Sequence, residues 1–419
     1  MIWHPSFAGC WICLPDFRMP AISVVIPVYN AAPFLREALD SLLAQTCGDF
    51  EAIAVNDGST DNSLEILQEY AARDSRIRIL DGPNGGYGKA MNRGMDAAIG
   101  KYMAILEPDD YLPREAYAIL LEMVEKNRLD VARGTYCAFY EDEAGIRRFS
   151  YVIPIRRPDE VFCPRSELPG EFESGAHIWT GLYRLPFLRE CGIRFHETPG
   201  ASYQDTGFFF LCATHAERYM LTDEVTYLYR TNNPGSSINN VGQKRYALLE
   251  EYAHIRRMLE GTTKLWPVLE QQYYVNRFAG VIWVVSSLPE SERESFVDNL
   301  KRILPDWNVP SIPSHYRAQL ESCLRPADAA AGGSEESRRC IASGLVRICM
   351  SAAQSSWLVL GVPVLQRKRV RVLRQFRSGI SAESDLADVW YFMGVPVHRR
   401  MRTRYAGWPV SPSVPAQIC

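Results

Sequence analysis

The sequence lacks any apolar run long enough to cross a lipid bilayer, which takes about 20 residues in a helix. Its most apolar stretches, FAGVIWVVSSL at 278–288 and SSWLVLGVPVL at 355–365, are each about half that length. The first 20 residues also lack a basic start and a small-residue cleavage site. These absences predict a cytoplasmic protein, at most peripheral at the inner face of the cell membrane. Residues 1–18 are predicted to be a disordered or start-site extension.

The chain also lacks a surplus of positive charge. Its 46 Lys and Arg residues nearly balance 49 Asp and Glu residues, giving a formal net charge of -3, so no nucleic-acid partner is expected. The 11 cysteines are scattered, and the close pair Cys10 and Cys13 has no second pair or histidines at zinc-site spacing. The cysteines are interpreted as reduced thiols.

Two common nucleotide-binding motifs are missing as well. No G-x-G-x-x-G follows the first predicted strand, and no G-x-x-x-x-G-K-[ST] occurs in the chain. The dinucleotide-binding fingerprint and the P-loop are therefore excluded. A glycine-rich run, NGGYGKAMNRG at 84–94, is present, but alone it indicates little.

What the sequence does contain is a regular alternation of strands and helices. ISVVIPVY at 22–29 is a continuous β-branched run, typical of a strand buried on both faces. FEAIAVND, RIRIL and KYMAIL predict further strands, with amphipathic helices between them. This alternation predicts an α/β fold with a Rossmann-like, mostly parallel sheet and flanking helices.

Polar turns follow three of these strands, namely VYN at 28–30, NDGS at 56–59 and EPDD at 107–110. Ligands of parallel sheets bind beyond the carboxyl ends of the strands. The three turns are therefore predicted to meet in one binding crevice.

The last of these turns carries Glu107, Asp109 and Asp110, interrupted only by Pro108. Carboxylates this close raise one another's pKa unless a cation lies among them. Taken alone, the pattern fits either a solvated acidic turn or a site for a hard metal ion.

The pattern changes after these strands. It is irregular and rich in aromatics, glycine and proline to about residue 240, and helical patterning returns from there. The predicted organisation is a ligand-binding domain at 19–240 with halves 19–115 and 116–240, a helical region at 241–324, a linker at 325–337 and a basic C-terminal tail at 338–419.

The tail contains a short repeat, because LGVPVLQRKR at 360–369 recurs as MGVPVHRRMR at 393–402. Basic clusters beside apolar residues can rest on anionic lipid headgroups. A solvated tail that packs on its own chain has the same composition. Both interpretations stay open.

The ordered set SVVIPVYN, VNDGSTDNS, a Gly/Asn-rich helix start and ILEPDDY resembles the family 2 glycosyltransferases. The resemblance covers about residues 20–115 and continues more loosely from YQDTGF to YRTNNPGSS. It implies a GT-A fold and an inverting enzyme that takes a sugar from a nucleotide donor. It also implies a glycan or lipid-linked acceptor and a role in cell-surface polysaccharide synthesis.

The resemblance also assigns a metal and a nucleotide site. Glu107 and Asp109 take the acidic places of the family's D-x-D motif and Asp110 follows as their neighbour, which implies bound Mn²⁺ or Mg²⁺. Tyr29 is implied to stack on the base and Asp57 to accept a hydrogen bond from its edge, with uracil as the default base. The other implied nucleotide-site residues are Pro27, Asn30, Lys89, Asn92 and Asp109.

One departure from the family pattern concerns the donor. Met91 stands where many relatives have an arginine, so a fixed positive charge is missing. Lys89 can supply a charge, but without the bidentate fork of an arginine.

On the acceptor side, Asp205 matches the acidic residue that serves as general base, although the same residue type is also a good helix N-cap. His177 and Trp179 are predicted to line the acceptor cleft. Arg230, Ser236 and Ser237 are predicted to clamp the diphosphate from a closing loop. Two alternatives stay open: a non-catalytic binding module on the same fold, and a metal-dependent nucleotidyltransferase.

Overall fold

The computed structural model describes residues 19–141, 147–152, 157–167, 176–236, 244–260, 266–304, 306–308 and 312–324, and parts of 347–401. The predicted extension at 1–18 and the predicted linker at 325–337 lie outside the described residues.

The first half of the domain is a parallel sheet with strand order β3-β2-β1-β4. The predicted alternation of strands and helices is confirmed in this half. Its elements are β1 (Ile22–Val28), α1 (Ala32–Leu43), β2 (Phe50–Asp57), α2 (Ser63–Arg73), β3 (Ile77–Gly82), α3 (Tyr87–Ala97) and β4 (Tyr102–Ile105).

β1 is buried along its whole length because helices cover both faces of the sheet. Val25 packs in one core together with Met91 of α3, while Val24 packs in the opposite core together with Leu35 of α1. Burying each such side chain contributes roughly 1.5–3 kcal/mol. These two cores fix the strand ends that carry the polar turns.

The second half extends the same sheet in the order β4-β8-β5-β9-β7, with β6 paired to β5. β8 is antiparallel to β4 and β5, whereas β5 and β9 are parallel. The elements are α4 (Ala116–Asn127), β5 (Val131–Glu141), β6 (Arg147–Val152), β7 (Val161–Phe162), α5 (Pro164–Glu167), β8 (Gly181–Arg184), α6 (Leu185–Glu190), α7 (Gln204–His215) and β9 (Tyr219–Arg230).

The predicted helical region follows the sheet. It comprises α8 (Ala247–Glu260), α9 (Trp266–Ser287), α10 (Glu290–Ile303) and α11 (Ser314–Leu324). Its apolar side chains join the core that α7 forms with the sheet. Across the part of the chain that the structure describes, the helices are all too short or too polar to span a bilayer.

The described parts of the predicted basic tail form a second, antiparallel sheet in the order β10-β11-β12-β13-β14. Its strands are β10 (Arg347–Ser351), β11 (Gln354–Val359), β12 (Val362–Gln375), β13 (Ser381–Phe392) and β14 (Val395–Met401). The two copies of the short repeat therefore fall largely on β12 and β14.

Helix α3 is docked closely against the chain segment that precedes α7. A Cβ added at Gly88 would lie 2.1 Å from the carbonyl oxygen of His196. The N–H of Tyr87 donates to the carbonyl of Gly200 at 3.0 Å. The absence of a side chain at Gly88 thus allows the predicted halves 19–115 and 116–240 to meet.

We expect Gly88→Ala to destabilise the protein. Alanine adds up to about 1 kcal/mol of helix preference, but overpacking against a backbone carbonyl costs about 1–3 kcal/mol and dominates. Urea unfolding measures the difference. Gly48→Ala is the matched control, because its added Cβ would find Arg76 Nη1 at 3.7 Å, an ordinary contact. Equal midpoints for the two variants would contradict the close docking.

Candidate active site

The residues predicted to bind the nucleotide base lie at the carboxyl ends of β1 and β2. Pro27 is buried within β1, whereas Tyr29, directly after the strand, is 52% exposed. An exposed aromatic face at a strand end can stack on a flat ligand. Asn30 has a φ of 50°, and its Oδ1 accepts a hydrogen bond from the N–H of Thr60 at 2.7 Å. This bond joins the turn after β1 to the turn after β2.

Asp57 ends β2 and is 4% exposed. Its two carboxylate oxygens accept hydrogen bonds from the N–H groups of Gly85 and Gly86 at 2.8 and 2.9 Å. Asp57 therefore holds the start of α3 against the nucleotide side. Each oxygen keeps a second lone pair that can accept an N–H from a ligand.

The two nucleotide-site residues predicted on α3 differ in their surroundings. Lys89 is exposed. Asn92 is 3% exposed, and its Nδ2 donates to the carbonyl of Phe195 and to Glu197, each at 2.9 Å. Both amide hydrogens of Asn92 are thus used to tie α3 to the segment before α7. Met91 is fully buried in the core.

Glu107 and Asp109, in the turn after β4, are partly buried. Glu107 Oε1 accepts a hydrogen bond from the Tyr87 hydroxyl, and Asp109 Oδ2 accepts one from the Asn233 amide, both at 2.7 Å. The pKa of Glu107 is raised to about 8, mainly by burial and further by the negative charges of Asp109 and Asp205. The hydrogen bond from Tyr87 acts in the opposite direction and lowers this pKa. A cation would relieve this repulsion.

Asp110 is more deeply placed, with an exposure of 1%. Its Oδ1 accepts a hydrogen bond from the backbone N–H of Arg230 at 2.7 Å. Burial and the negative charge of Asp109 raise the pKa of Asp110 well above its usual range. Asp110 anchors the acidic turn to the end of β9.

The acidic turn fits a metal ion that is shared with a ligand. Within the described ranges, no three or more His, Cys, Asp or Glu side chains are grouped so as to hold a metal by themselves. Mg²⁺ in phosphate-handling sites commonly takes only one or two carboxylates, with phosphate oxygens and waters completing its shell. Glu107 and Asp109 supply hard oxygens whose charges repel each other, which fits such a shared site.

Arg230, predicted as a diphosphate clamp, is held inside the protein, and its side chain is 5% exposed. Its Nε donates to the carbonyl of Asp109 at 2.9 Å and its Nη2 to Glu37 at 2.5 Å. The guanidinium carbon lies 4.7 Å from the ring centres of both Phe34 and Phe139. In this arrangement Arg230 stabilises the acidic turn from the interior of the protein, through its hydrogen bond to the Asp109 carbonyl.

The predicted closing loop begins directly after β9. The N–H of Ser236 donates to the carbonyl of Asn233 at 3.1 Å, which closes a turn. Because the Asn233 side chain contacts Asp109, this turn touches the acidic turn. Ser237 lies outside the described residues.

Asp205, the predicted base, is partly buried in the first turn of α7. Tyr203 occupies the N-cap position of that helix, so Asp205 does not serve as the cap. Burial raises the pKa of Asp205 to about 6, although the N–H of Thr206 donates to its Oδ1 at 2.8 Å. The negative charge of Asp205 is one of the causes that raise the pKa of Glu107, so Asp205 lies within electrostatic reach of the acidic turn.

His177 and Trp179 lie on the short turn before β8, and both are partly buried. Their rings stack with centroids 4.8 Å apart. Trp179 also contacts Tyr227, whose hydroxyl accepts the N–H of Glu107 at 3.0 Å. Burial, followed by the charge of Arg133, lowers the pKa of His177 to about 3. This aromatic pair is neutral and is connected to the acidic turn through Tyr227.

Three residues that hold the acidic turn are missing from the sequence-based prediction, namely Tyr87, Asn233 and Tyr227. Tyr87 lies within the glycine-rich run at 84–94 and Asn233 lies within YRTNNPGSS, so the polar side chains of these two motifs were a signal that sequence analysis could have used. Tyr227 carries no such signal, because a tyrosine on a buried strand looks like a core residue.

Comparison with known proteins identifies the family. Residues 23–179 match the family model Glycosyl transferase family 2. The chain is 33% identical over 324 residues to YibD of Escherichia coli (strain K12), an uncharacterized glycosyltransferase, across 72% of this chain and 91% of YibD. It is 35% identical over 220 residues to EpsJ of Bacillus subtilis (strain 168), also an uncharacterized glycosyltransferase, across 51% of this chain and 62% of EpsJ.

Among solved structures, S. aureus TarS 1–349 in complex with UDP-GlcNAc aligns with 72% of this chain and 86% of its own. The TM-score of that alignment is 0.47 and the sequence identity is 20%.

The match to YibD covers nearly all of that relative, and the family model covers the strands and turns that build the site. The mixed α/β architecture with its mostly parallel central sheet is the predicted GT-A class. The chain is therefore a glycosyltransferase that belongs to glycosyl transferase family 2.

Proposed function

We propose that this glycosyltransferase inverts the anomeric centre of a sugar that it moves from a UDP-sugar to a hydroxyl of a glycan or lipid-linked acceptor. The observation that carries the proposal is the grouping of carboxylates around Glu107, which accepts a hydrogen bond from the Tyr87 hydroxyl at 2.7 Å and feels the negative charges of both Asp109 and Asp205. A single displacement needs charge compensation at the leaving diphosphate and a base at the attacking hydroxyl. The coupled carboxylates are the candidates for these two tasks.

The donor proposal rests on the nucleotide side of the site. The exposed ring of Tyr29 offers a stacking face, and Asp57 lies at the neighbouring strand end. A uracil edge carries one N–H, which suits a carboxylate oxygen with a free lone pair. These features support UDP as the nucleotide.

In this proposal Asp109 and Glu107 would hold Mn²⁺ or Mg²⁺ beside the diphosphate of the donor. When bound, such a cation neutralises the charge of the departing diphosphate. The Asn233 amide and the Tyr87 hydroxyl orient the two carboxylates, and Asp110 and Arg230 hold the turn itself.

Asp205 then takes the proton of the acceptor hydroxyl. With a pKa of about 6, its carboxyl is mostly ionised at neutral pH and is still basic enough to accept a proton during the displacement. The neutral, stacked rings of His177 and Trp179 offer an apolar face for an acceptor sugar.

We place the enzyme in cell-surface polysaccharide synthesis, on the cytoplasmic side of the cell membrane. The basic repeat in the C-terminal region supports contact with an anionic membrane that holds the acceptor. The proposed partners are thus a nucleotide sugar, a glycan or lipid-linked acceptor and an anionic lipid surface.

Asp109→Asn should remove the metal-dependent part of nucleotide binding. UDP with Mn²⁺ at about 100 times its dissociation constant should stabilise the wild type by about 2.7 kcal/mol, seen as a rise in Tm. The Asn variant should show only the smaller shift that UDP gives without metal. Glu115→Gln, an exposed acid nearby, is the control and should behave as wild type. Equal shifts in wild type and Asp109→Asn would refute the metal assignment.

Asp205→Asn should abolish transfer without abolishing donor binding. Loss of a general base costs roughly 10²–10⁴-fold in kcat, while the UDP and Mn²⁺ thermal shift should persist. Because the base must be ionised, kcat/KM of the wild type should fall as the pH drops below about 6. Steady-state rates with a panel of UDP-sugars and acceptors measure both effects. A wild type that binds UDP but never transfers or hydrolyses a donor would support the binding-module alternative.

Replacing the basic residues of the C-terminal repeat with neutral ones should weaken binding to anionic membranes. The test variant carries Gln at Arg367, Lys368, Arg369, Arg399, Arg400 and Arg402. Each basic residue near an anionic surface contributes about 1 kcal/mol, so co-sedimentation with phosphatidylserine vesicles should be lost. Neutral phosphatidylcholine vesicles are the control. Unchanged binding by the variant would exclude the repeat as the contact.

A further inference from the structure

Helix α8 brings one buried carboxyl group, Glu251, against the helix turn that carries Asp205. Glu251 is 1% exposed. A Cβ added at Gly207 would lie only 1.8 Å from Glu251 Oε1. Gly207 therefore leaves the space that lets this carboxyl reach α7, two residues beyond Asp205.

The two carboxyl oxygens of Glu251 differ in their hydrogen-bond partners. Oε2 lies 2.9 Å from His196 Nδ1, whereas Oε1 is buried and has no hydrogen-bond partner among the described residues. A buried carboxylate oxygen without a donor is costly, because it carries negative charge. In a protonated carboxyl, the hydroxyl donates to His196 and the other oxygen is a neutral carbonyl. The contact geometry therefore fits the protonated form of Glu251.

The charged groups around Glu251 favour the same form. Asp205 faces it from α7, and burial together with the charge of Asp205 raises the pKa of Glu251 to about 8, against the lowering effect of Arg257. Burial and the charge of Arg257 also lower the pKa of His196, against the opposing charge of Glu250. His196 is thus neutral, with Nδ1 able to accept the hydrogen of Glu251.

A further titratable neighbour is His254, one turn along α8. Its ring stacks on His196 with centroids 4.1 Å apart. Burial, followed by the charges of His196 and Arg257, lowers the pKa of His254 to about 4. The pair of imidazoles beside Glu251 is therefore neutral at pH 7 and supplies no positive charge to an ionised carboxylate.

We infer that Glu251 is a positioning residue for Asp205: its carboxyl stays protonated, donates to His196 and gives the Asp205 turn a neutral neighbour in place of a second anion. The inference rests on the proposed function, in which Asp205 is the base. Ionising Glu251 would leave a charged oxygen unpaired at Gly207. The contact between α8 and α7 would then have to open, which would displace Asp205.

The protonation state is tested by stability, independently of activity. Glu251→Gln keeps the shape of the protonated group but cannot titrate. A Glu of the unfolded chain ionises near pH 4.3, whereas folded Glu251 holds its proton to about pH 8. Between these values folding binds a proton, so wild-type stability falls relative to the variant as the pH rises.

The Tm of Glu251→Gln minus that of the wild type should therefore increase from pH 5 to pH 8 and then level off. Glu250→Gln, an exposed neighbour on the same helix, should show no such trend. A difference that stays constant over this range would mean that Glu251 is ionised throughout, and would overturn the inference.

The positioning role is tested by pH–rate profiles. The wild-type kcat/KM should fall above about pH 8, and Glu251→Gln should lose that alkaline fall while keeping the acid limb. At pH 7 the variant should lose about fivefold in kcat, the equivalent of one altered neutral hydrogen bond. Glu250→Gln should follow the wild type on both limbs. An alkaline fall that persists in Glu251→Gln would overturn the inference.

Asp205→Asn separates the two proposals. If that variant retains full transfer, the assignment of the base is wrong, whatever Glu251 does. If it is inactive while Glu251→Gln keeps the wild-type dependence on pH in both stability and rate, only the role of Glu251 is wrong.

Discussion

The structure depends on holding several carboxyl groups close together at the end of β4 and beside α7. Glu107, Asp109 and Asp110 lie within five residues of the end of this fully buried strand, and the negative charge of Asp205 acts on Glu107. Such crowding of carboxylates is unfavourable when no cation lies among them. Hydrogen bonds to the carboxylates partly offset the repulsion. The Tyr87 hydroxyl donates to Glu107, the Asn233 amide to Asp109 and the backbone N–H of Arg230 to Asp110. In the proposed function, a bound cation and the diphosphate of the donor would relieve this repulsion.

The same contacts join parts of the chain that are far apart in sequence. Arg230 at the end of β9 holds the acidic turn and Glu37 of α1, and Asn92 of α3 holds the segment before α7. Glu251 adds a contact between α8 and the helix of the proposed base. Substitutions in the helical region can therefore change catalysis without touching donor or acceptor.

Much of the framework could be predicted from sequence, because it follows from local periodicity. The β-branched run of β1 and the polar turns after β1, β2 and β4 predict where the crevice lies. Tyr29 and Asp205 could be located because each stands next to an element boundary. The orientation of Arg230 and Asn92 could not be predicted, since their partners Glu37 and Phe195 lie 193 and 103 residues away. An arginine or asparagine in a motif looks the same whether it binds a ligand or another part of the protein.

The most direct test of the central claim is anomalous diffraction from crystals grown with UDP and Mn²⁺. The account predicts a manganese peak within direct coordination distance of a carboxylate oxygen of Asp109 and of the diphosphate oxygens of UDP. UDP bound in the crevice with manganese absent from the acidic turn, or with manganese at another site, would contradict the account.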